Sequence, residues 1–240
     1  MAGPRLLLAF ADAYPGARFV EIGANDGDQH DHLGPFIAER DWRGVMVEPV
    51  PYAFERLRRN FGAVDGVRLE MAAIAAGDGT STLFHLAEAP DAAAEGLPPW
   101  YDGIGSLSRE ALLAHAPQIA GIADRVVETE VPCLAFDSLC AKHGLPAVDL
   151  LAVDTEGHDW EILKTVDLTV WRPRLVVYEH YHLSEADRAA AAGHLRRHGY
   201  ELLAEGFDTF CLRTEDDELT RAFRRLRPAV PAASKDSEHP

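Results

Sequence analysis

The amino-acid sequence predicts an α/β fold with a mostly parallel sheet, and three observations support this prediction. Short apolar runs at 19–22, 45–47, 148–153 and 173–178 have the composition of buried parallel strands. Amphipathic helical patterns alternate with these runs, and the pattern at 51–61 is the clearest of them. Near the C-terminus, two strand patterns joined by a short polar turn predict an antiparallel hairpin. We therefore expect a sheet with helices on both faces.

Composition limits the classes of partner. The 240-residue chain has 39 acidic and 23 basic residues, which gives a formal net charge of −16. Nucleic acid and anionic membrane surfaces would repel such a chain, so neither is an expected partner. No apolar run approaches the ~18 residues that a membrane-spanning helix needs. These properties favour a soluble enzyme.

The chain length and the cysteines predict the domain organisation and the compartment. Residues 1–227 are expected to form a single domain, because a chain of this length can bury a substantial core. The tail 228–240 is rich in Pro, Ala, Ser and Lys and is expected to be disordered. Cys133, Cys140 and Cys211 have no metal-site or redox spacing. Inert buried thiols in a reducing cytosol fit this pattern, so we expect a cytoplasmic protein.

A loop with two glycines follows the first predicted strand. Gly23 and Gly27 permit a sharp turn and the close approach of a ligand, because neither has a Cβ. In an open α/β sheet, ligands bind beyond the carboxyl ends of the strands. Glu21 and Asp26 would repel a diphosphate there, so a cationic or zwitterionic cofactor is favoured. Glu48 ends the second strand 21 residues after Gly27, where a carboxylate can accept hydrogen bonds from ribose hydroxyls.

Three motifs occur in order along the chain, namely Val20-Glu-Ile-Gly-Ala-Asn-Asp-Gly27, Val47-Glu-Pro-Val-Pro51 and Val153-Asp-Thr-Glu-Gly-His158. Together they resemble the FkbM family of S-adenosylmethionine-dependent methyltransferases, and the resemblance extends from about Phe19 to Arg213. It implies a Rossmann-like, seven-strand methyltransferase sheet that holds S-adenosylmethionine at the first two motifs. The acid-lined loop agrees with this cofactor, which carries a sulfonium and an ammonium cation.

The resemblance also implies a set of cofactor-binding residues. The set is Glu21, Gly23, Ala24, Asn25, Gly27, Glu48, Pro49, Ala73 and Asp154. Ala73 belongs to it because the residues after the third strand approach the adenine in this fold. The chain departs from the family at Ala152, where relatives usually carry lysine, so no role of that lysine transfers to this chain.

Residues 87–124 separate two predicted strands and have weak periodicity. A segment of this length between strands is usually functional or disordered. Trp100, Tyr101 and the glycines Gly103 and Gly105 suggest a mobile lid that covers the substrate. A disordered insertion is the alternative interpretation.

Acidic and imidazole side chains follow the strands that end at Val153 and Tyr178. If these strands are neighbours ~4.8 Å apart, Asp154, Glu179 and His180 converge at one edge of the sheet. The carboxylates would repel one another, and carboxylate oxygens with an imidazole nitrogen can bind Mg²⁺ or Mn²⁺. Such a cation would hold a substrate hydroxyl and lower its pKa.

The third motif supplies the candidate catalytic residues Asp154, Glu156 and His158. His158 is the candidate general base, since an imidazole titrates near neutral pH. Alternatively, Glu156 and the acids near it only complement the positive end of a helix, and His158 faces solvent beside the start of that helix. The sequence leaves these interpretations open.

We therefore expect methyl transfer from S-adenosylmethionine to an oxygen of a small molecule or sugar, with metal assistance left open. N-methylation on the same fold would need a base but no metal. A nicotinamide-dependent oxidoreductase would require a full Gly-x-Gly-x-x-Gly, which the stretch from Gly23 to Gly27 lacks. A catalytically silent binding module is the remaining alternative.

Overall fold

The computed structural model describes residues 1–28 and 33–227, and the predicted disordered tail 228–240 lies outside them. Within this part, the strands are β1 (Arg18–Ile22), β2 (Arg43–Val47), β3 (Val67–Glu70), β4 (Ala73–Ile74), β5 (Gly79–Leu86), β6 (Val126–Leu134), β7 (Leu150–Val153), β8 (Leu175–Glu179), β9 (Tyr200–Glu205) and β10 (Asp208–Arg213). The helices are α1 (Gly3–Ala13), α2 (Gly34–Glu39), α3 (Pro51–Phe61), α4 (Arg109–Leu113), α5 (Phe136–Lys142), α6 (Asp159–Leu163), α7 (Glu185–Arg197) and α8 (Glu218–Leu226).

The main sheet has seven strands in the order β3-β2-β1-β7-β8-β10-β9. Neighbours from β3 to β8 are parallel, whereas β10 is antiparallel to both β8 and β9. The strand order changes direction between β1 and β7, so the switch point of the sheet lies at the carboxyl ends of these two strands. This arrangement confirms the predicted mostly parallel, seven-strand sheet with a C-terminal antiparallel hairpin.

Both faces of the main sheet are covered by helices, because successive strand residues point to opposite sides. On one face, Phe19 and Met46 belong to the same buried cluster as Leu6 of α1, Leu57 of α3 and Phe223 of α8. On the other face, apolar residues of β1, β2 and β7 share a buried cluster with residues of α5, α6 and α7. This confirms the predicted layers. Within the described ranges, no helix combines the length and the apolar character needed to cross a membrane.

A second, three-stranded sheet has the order β4-β6-β5, with β4 parallel and β5 antiparallel to β6. The sequence pattern at 67–74 suggests one strand, but the structure divides it between β3 in the main sheet and β4 in the small sheet. The break follows Glu70, whose carboxylate accepts hydrogen bonds from Lys142 Nζ at 2.9 Å and is 2.8 Å from His143 Nε2. The end of β3 is thereby attached to the end of α5.

The insertion 87–124 packs around apolar side chains of its own. Leu97, Tyr101, Ile104 and Leu112 belong to one buried cluster. The Tyr101 hydroxyl accepts a hydrogen bond from the amide of Ala89 at 2.9 Å. The insertion is therefore packed in this structure, and its movement over a substrate stays a prediction.

Candidate functional site

The carboxyl ends of four neighbouring strands lie side by side. Ile22 is paired with Val47 on one side and with Val153 on the other, and Val153 is paired with Tyr178. The residue that follows each of these therefore lies in one row at the edge of the sheet, in the spatial order Glu48, Gly23, Asp154, Glu179. Ligands bind at this edge in open α/β sheets, so the row defines the candidate site.

The loop after β1 makes a tight turn. Gly23 and Gly27 have positive φ angles of 85° and 74°, and Asn25 between them has a φ of 47°. The amide of Gly23 donates a hydrogen bond to the carbonyl of Val47 at 2.9 Å. A Cβ at Gly23 would overlap the backbone carbonyl of Asp154. Glycine is required here because the loops after β1 and β7 touch.

Glu48 is buried at the end of β2, with 5% of its surface exposed. Its Oε2 accepts a hydrogen bond from the amide of Asn25 at 2.9 Å, and its Oε1 accepts one from the amide of Val50 at 2.8 Å. Burial raises the pKa of Glu48 to about 7, although the two amides lower it. Each carboxylate oxygen has a second lone pair for a donor on a ligand. The carboxylate is thus held in one orientation from which it can bind hydroxyls.

A small pocket of about 40 Å³ lies beside Glu48. Pro49, Ala73 and Ile74 form part of its wall, and His158 lines it as well. Burial lowers the pKa of His158, so its imidazole is neutral at neutral pH. His158 therefore lies beside the predicted ribose and adenine contacts.

A larger cavity of about 560 Å³ shares Ile22, Gly23, Gly103 and Asp154 with the small pocket. Carboxylic acids dominate its polar lining, namely Glu21, Asp26, Asp102, Asp154, Glu156, Glu179 and Asp208. No lysine or arginine of the described chain lines it. The cavity therefore suits cations and neutral molecules with hydroxyl groups, and it repels anions.

Two histidines and two glutamates meet at the wall of the larger cavity. Glu156 Oε2 lies 3.2 Å from His182 Nε2 and 3.6 Å from His115 Nε2. Glu179 Oε1 lies 3.5 Å from His182 Nε2. Glu156 follows β7, His182 follows β8, and His115 belongs to the insertion. Three separate parts of the chain thus build this cluster.

Burial controls the protonation of the cluster. Burial, followed by the charge of Asp154, raises the pKa of Glu156 well above its ordinary value and that of Glu179 to about 10. Burial, followed by the charge of His115, lowers the pKa of His182 to about 4. At neutral pH Glu179 is therefore protonated and His182 is neutral. The cluster contains no cation of its own.

The structure brings some of the predicted catalytic and metal-binding residues together and separates others. Asp154, Glu156 and Glu179 line the larger cavity. His180 does not, because its amide donates to the carbonyl of Phe207 at 2.8 Å and its Nδ1 lies 3.0 Å from Oγ1 of Thr209. The imidazole that faces Glu156 and Glu179 is His182 instead. Binding of a metal by the predicted set of Asp154, Glu179 and His180 stays a prediction.

The predicted cofactor residues are divided between the two pockets. Glu21, Ala24 and Asn25 line the larger cavity, Glu48, Pro49 and Ala73 line the small pocket, and Gly23 and Asp154 line both. Gly27 lines neither pocket. It lies against α3, where a Cβ at this position would strike the ring of Phe61. The glycine allows α3 to pack closely against the loop.

Sequence reasoning missed His115, His182 and two aromatic residues at the cavity. The rings of Tyr181 and Phe207 lie 4.6 Å apart, and those of His115 and His182 lie 4.7 Å apart. His182 could have been found by extending the search three residues beyond Glu179. No local pattern connects His115 with the strand ends, because it reaches the site through the fold of the insertion.

The seven-strand sheet, with a reversed strand at its C-terminal side and pockets at its switch point, has the Rossmann-like fold of methyltransferases. The sequence model of the Methyltransferase FkbM domain matches residues 21–202. The chain belongs to the FkbM family of methyltransferases.

Solved structures are similar to the chain in fold. The FkbM methyltransferase from Methylobacillus flagellatus KT has a TM-score of 0.51 and 12% identity, over 82% of this chain and 44% of that chain. This chain therefore spans less than half the length of that relative. A precorrin-6y C5,15-methyltransferase from Geobacter metallireducens GS-15 has a TM-score of 0.43 and 12% identity, over 87% of this chain and 85% of that one. A methyltransferase from Geobacter sulfurreducens has a TM-score of 0.43 and 14% identity, over 89% and 78% of the two chains. Among curated protein sequences, none matches the chain significantly.

Membership of this family implies S-adenosylmethionine as the methyl donor, and the chemistry of the two pockets fits it. The carboxylate of Glu48 can accept hydrogen bonds from ribose hydroxyls, and Ala73 offers an apolar contact to an adenine. Glu21 and Asp154, which line the larger cavity, carry acidic side chains that could complement the ammonium and sulfonium cations. The side-chain oxygen of Asn25 is buried and has no hydrogen-bond partner among the described residues, so it can accept from a ligand.

Proposed function

We propose that the chain transfers a methyl group from S-adenosylmethionine to a hydroxyl oxygen of a neutral small molecule, such as a sugar. One observation carries this proposal. The pocket beside Glu48 borders a cavity of about 560 Å³ that is lined by acids and aromatic rings and, among the described residues, by no lysine or arginine. A cofactor at Gly23 and Asp154 would direct its methyl group into that cavity.

The lining of the cavity suggests the class of acceptor. Carboxyl groups can exchange hydrogen bonds with hydroxyls, and their number disfavours carboxylate or phosphate groups on the acceptor. Trp100, Tyr181 and Phe207 line the same cavity and can pack against the apolar face of a sugar ring. A neutral polyol meets both requirements.

The reaction needs a site that takes the proton of the acceptor. The oxygen–hydrogen bond of the acceptor breaks, the oxygen forms a bond to the methyl carbon, and the carbon–sulfur bond breaks with its electron pair remaining on sulfur. The products are an ether, S-adenosylhomocysteine and a proton. His158 was expected to be the base, but its imidazole lies at the small pocket. Asp154 lines both the small pocket and the acceptor cavity and is the better-placed candidate base.

N-methylation is the second candidate, because an acidic cavity also attracts an amine. The amine must lose its proton to a base or to water before it can attack the methyl group. A cytosolic location is part of our proposal as well. Cys133, Cys140 and Cys211 are free and buried, which agrees with a reducing compartment.

Calorimetry with S-adenosylhomocysteine and with NAD tests the cofactor. We expect S-adenosylhomocysteine to bind and NAD to bind far more weakly, because the diphosphate of NAD would meet the carboxylates of Glu21 and Asp26. A preference for NAD would contradict the proposal.

Transfer of a labelled methyl group tests the acceptor class. The panel pairs each neutral sugar with its phosphorylated form and includes primary amines. We expect label in the neutral sugars and little in the phosphorylated forms. A preference for phosphorylated sugars would reject the acceptor class, and label confined to amines would establish N-methylation.

A further inference from the structure

We propose that His115, Glu156 and His182 bind one divalent cation of the zinc class at the wall of the acceptor cavity. One nitrogen of each imidazole and one oxygen of the carboxylate all lie within 4.8 Å of one another. The site stands on this geometry, whereas its role in activating an acceptor rests on the proposed function.

Two of the three distances between the ligand atoms match the space around one cation, and the two imidazole nitrogens lie within 4.8 Å of each other. Zn²⁺ binds nitrogen and oxygen ligands at ~2.0–2.1 Å, so two ligands of a tetrahedral site lie about 3.4 Å apart. Glu156 Oε2 is 3.2 Å from His182 Nε2 and 3.6 Å from His115 Nε2. A cation can therefore enter between them with only small side-chain movements.

The carboxylate has an unused acceptor position at this point. Glu156 Oε2 is shielded from solvent and makes no hydrogen bond to any described residue, although two imidazole nitrogens lie close to it. A buried acceptor without a partner is costly unless a ligand satisfies it. A cation shared with His115 and His182 would satisfy it.

The ligand set selects the kind of cation. Two imidazoles with one carboxylate suit zinc and similar transition metals, whereas Mg²⁺ prefers oxygen ligands and retains several waters. Two histidines and a glutamate also form a known type of catalytic zinc site that keeps a fourth position open. Since all three residues line the acceptor cavity, the open position faces the acceptor.

This site differs from the Mg²⁺ or Mn²⁺ site expected at Asp154, Glu179 and His180. His182 replaces His180, and His115 of the insertion takes part. A cation would consequently join the insertion to the loops after β7 and β8. It would also lower the pKa of an acceptor hydroxyl bound at the open position. The proton released from that hydroxyl would leave to bulk water.

Metal binding is measured first, without any assay of activity. The full chain is stripped of metal with a chelator and titrated with Zn²⁺ by calorimetry, and Co²⁺ is added as a spectroscopic probe. We expect one Zn²⁺ per chain, weaker binding of Mg²⁺, and a visible Co²⁺ spectrum of the tetrahedral or five-coordinate type. Absence of Zn²⁺ binding, or an octahedral water-like Co²⁺ spectrum, would overturn the proposal.

Three variants then test the ligands, and a fourth variant is the matched control. His115→Ala, His182→Ala and Glu156→Gln should each weaken Zn²⁺ binding by at least ~100-fold, since loss of even an outer partner of a ligand costs ~10–100-fold. Glu156→Gln preserves the size of the side chain and so guards against a folding defect. His180→Ala should bind Zn²⁺ as the unaltered chain does. Loss of binding in His180→Ala, or retention in the three ligand variants, would overturn the assignment.

Binding of S-adenosylhomocysteine separates failure of this site from failure of the proposed function. The unaltered chain should bind S-adenosylhomocysteine with or without Zn²⁺, because Glu48 and Asn25 lie outside the cluster. A chain that methylates acceptors but binds no Zn²⁺ rejects the metal site alone. A chain that binds Zn²⁺ but neither binds S-adenosylhomocysteine nor transfers methyl groups supports the metal site and rejects the function.

Discussion

The side chain of Glu48 holds two loops in place and is also the predicted contact to the ribose of the cofactor. Its two oxygens accept hydrogen bonds from the amides of Asn25 and Val50, which belong to the loops after β1 and β2. These bonds hold the loops together and fix the orientation of the carboxylate. Burial of the same group raises its pKa to about 7, so its charge changes near physiological pH.

Glu48→Gln should weaken binding of S-adenosylhomocysteine by roughly 1–2 kcal/mol at pH 8, because a ribose hydroxyl then donates to an amide rather than to a carboxylate. In the unaltered chain, affinity should rise from about pH 6 to about pH 8, since Glu48 ionises around pH 7. Asp154, the other acid that acts on Glu48, remains in the variant. Calorimetry across this range should therefore show a flatter pH dependence in Glu48→Gln. An equal slope in both proteins would assign the pH effect to another group.

The insertion 87–124 is the element that adds a wall to the cavity at the strand ends. It contributes Trp100, Gly103 and His115 to the lining. Arg56 of α3 connects it to the main body, because its guanidinium pairs with Asp102 and, at 2.9 Å, with Glu88. The position of the insertion thus depends on a few polar contacts in addition to its own core.

Arg56→Ala should accelerate limited proteolysis within residues 96–108 about two- to tenfold, because loss of these ion pairs lowers the free energy of local opening by roughly 0.5–1.5 kcal/mol. Arg58→Ala is the matched control, since Arg58 pairs with Glu55 of its own helix at 2.7 Å. Cleavage in the control should follow the rate of the unaltered chain.

The same digestion tests the predicted lid. S-adenosylhomocysteine together with an acceptor should slow cleavage within 96–108, if the insertion closes over the bound substrate. Equal rates with and without ligands would count against movement of the insertion, and equal rates in Arg56→Ala and Arg58→Ala would assign no anchoring role to Arg56.

At the scale of the whole molecule, the C-terminal hairpin and α8 complete the sheet. Arg174, which is 2% exposed, precedes β8 and joins this strand to the start of α8. Its Nη2 donates to Asp217 Oδ2 at 2.6 Å and to Thr220 Oγ1 at 3.0 Å, and its Nη1 donates to the carbonyl of Arg213. The buried guanidinium needs the charge of Asp217, because an unpaired buried charge is destabilising.

Asp217→Asn should lower the free energy of unfolding by about 1–2 kcal/mol. This loss is smaller than that expected for a fully buried ion pair, because Asp217 is partly exposed to solvent. Asparagine preserves the hydrogen bond that Asp217 accepts from the amide of Thr220 at the start of α8. Asp216→Asn is the control, since Asp216 is fully exposed and pairs with Arg221 on the surface. Denaturant unfolding should show no measurable change in stability for this control. Equal stabilities of the two variants would mean that Arg174 is neutralised by other groups.

The sequence alone determined the sheet, its helical layers and the row of Gly23, Glu48, Asp154 and Glu179. Each of these residues follows an apolar run or ends it, and parallel strands align their carboxyl ends at one edge. A local pattern was therefore sufficient to place them together. The same reasoning was sufficient for the family, because its motifs lie in these strand-end loops.

Which side chains face one another depends on the packing of the whole chain. His180 is turned toward Thr209 by the hairpin, His182 faces Glu156 and Glu179, and His158 lies at the small pocket. The direction of a side chain in a loop depends on backbone angles and contacts that the residue pattern does not specify. His115 reaches the cluster through the packing of a distant insertion, and such long-range contacts are determined only when the whole chain has folded.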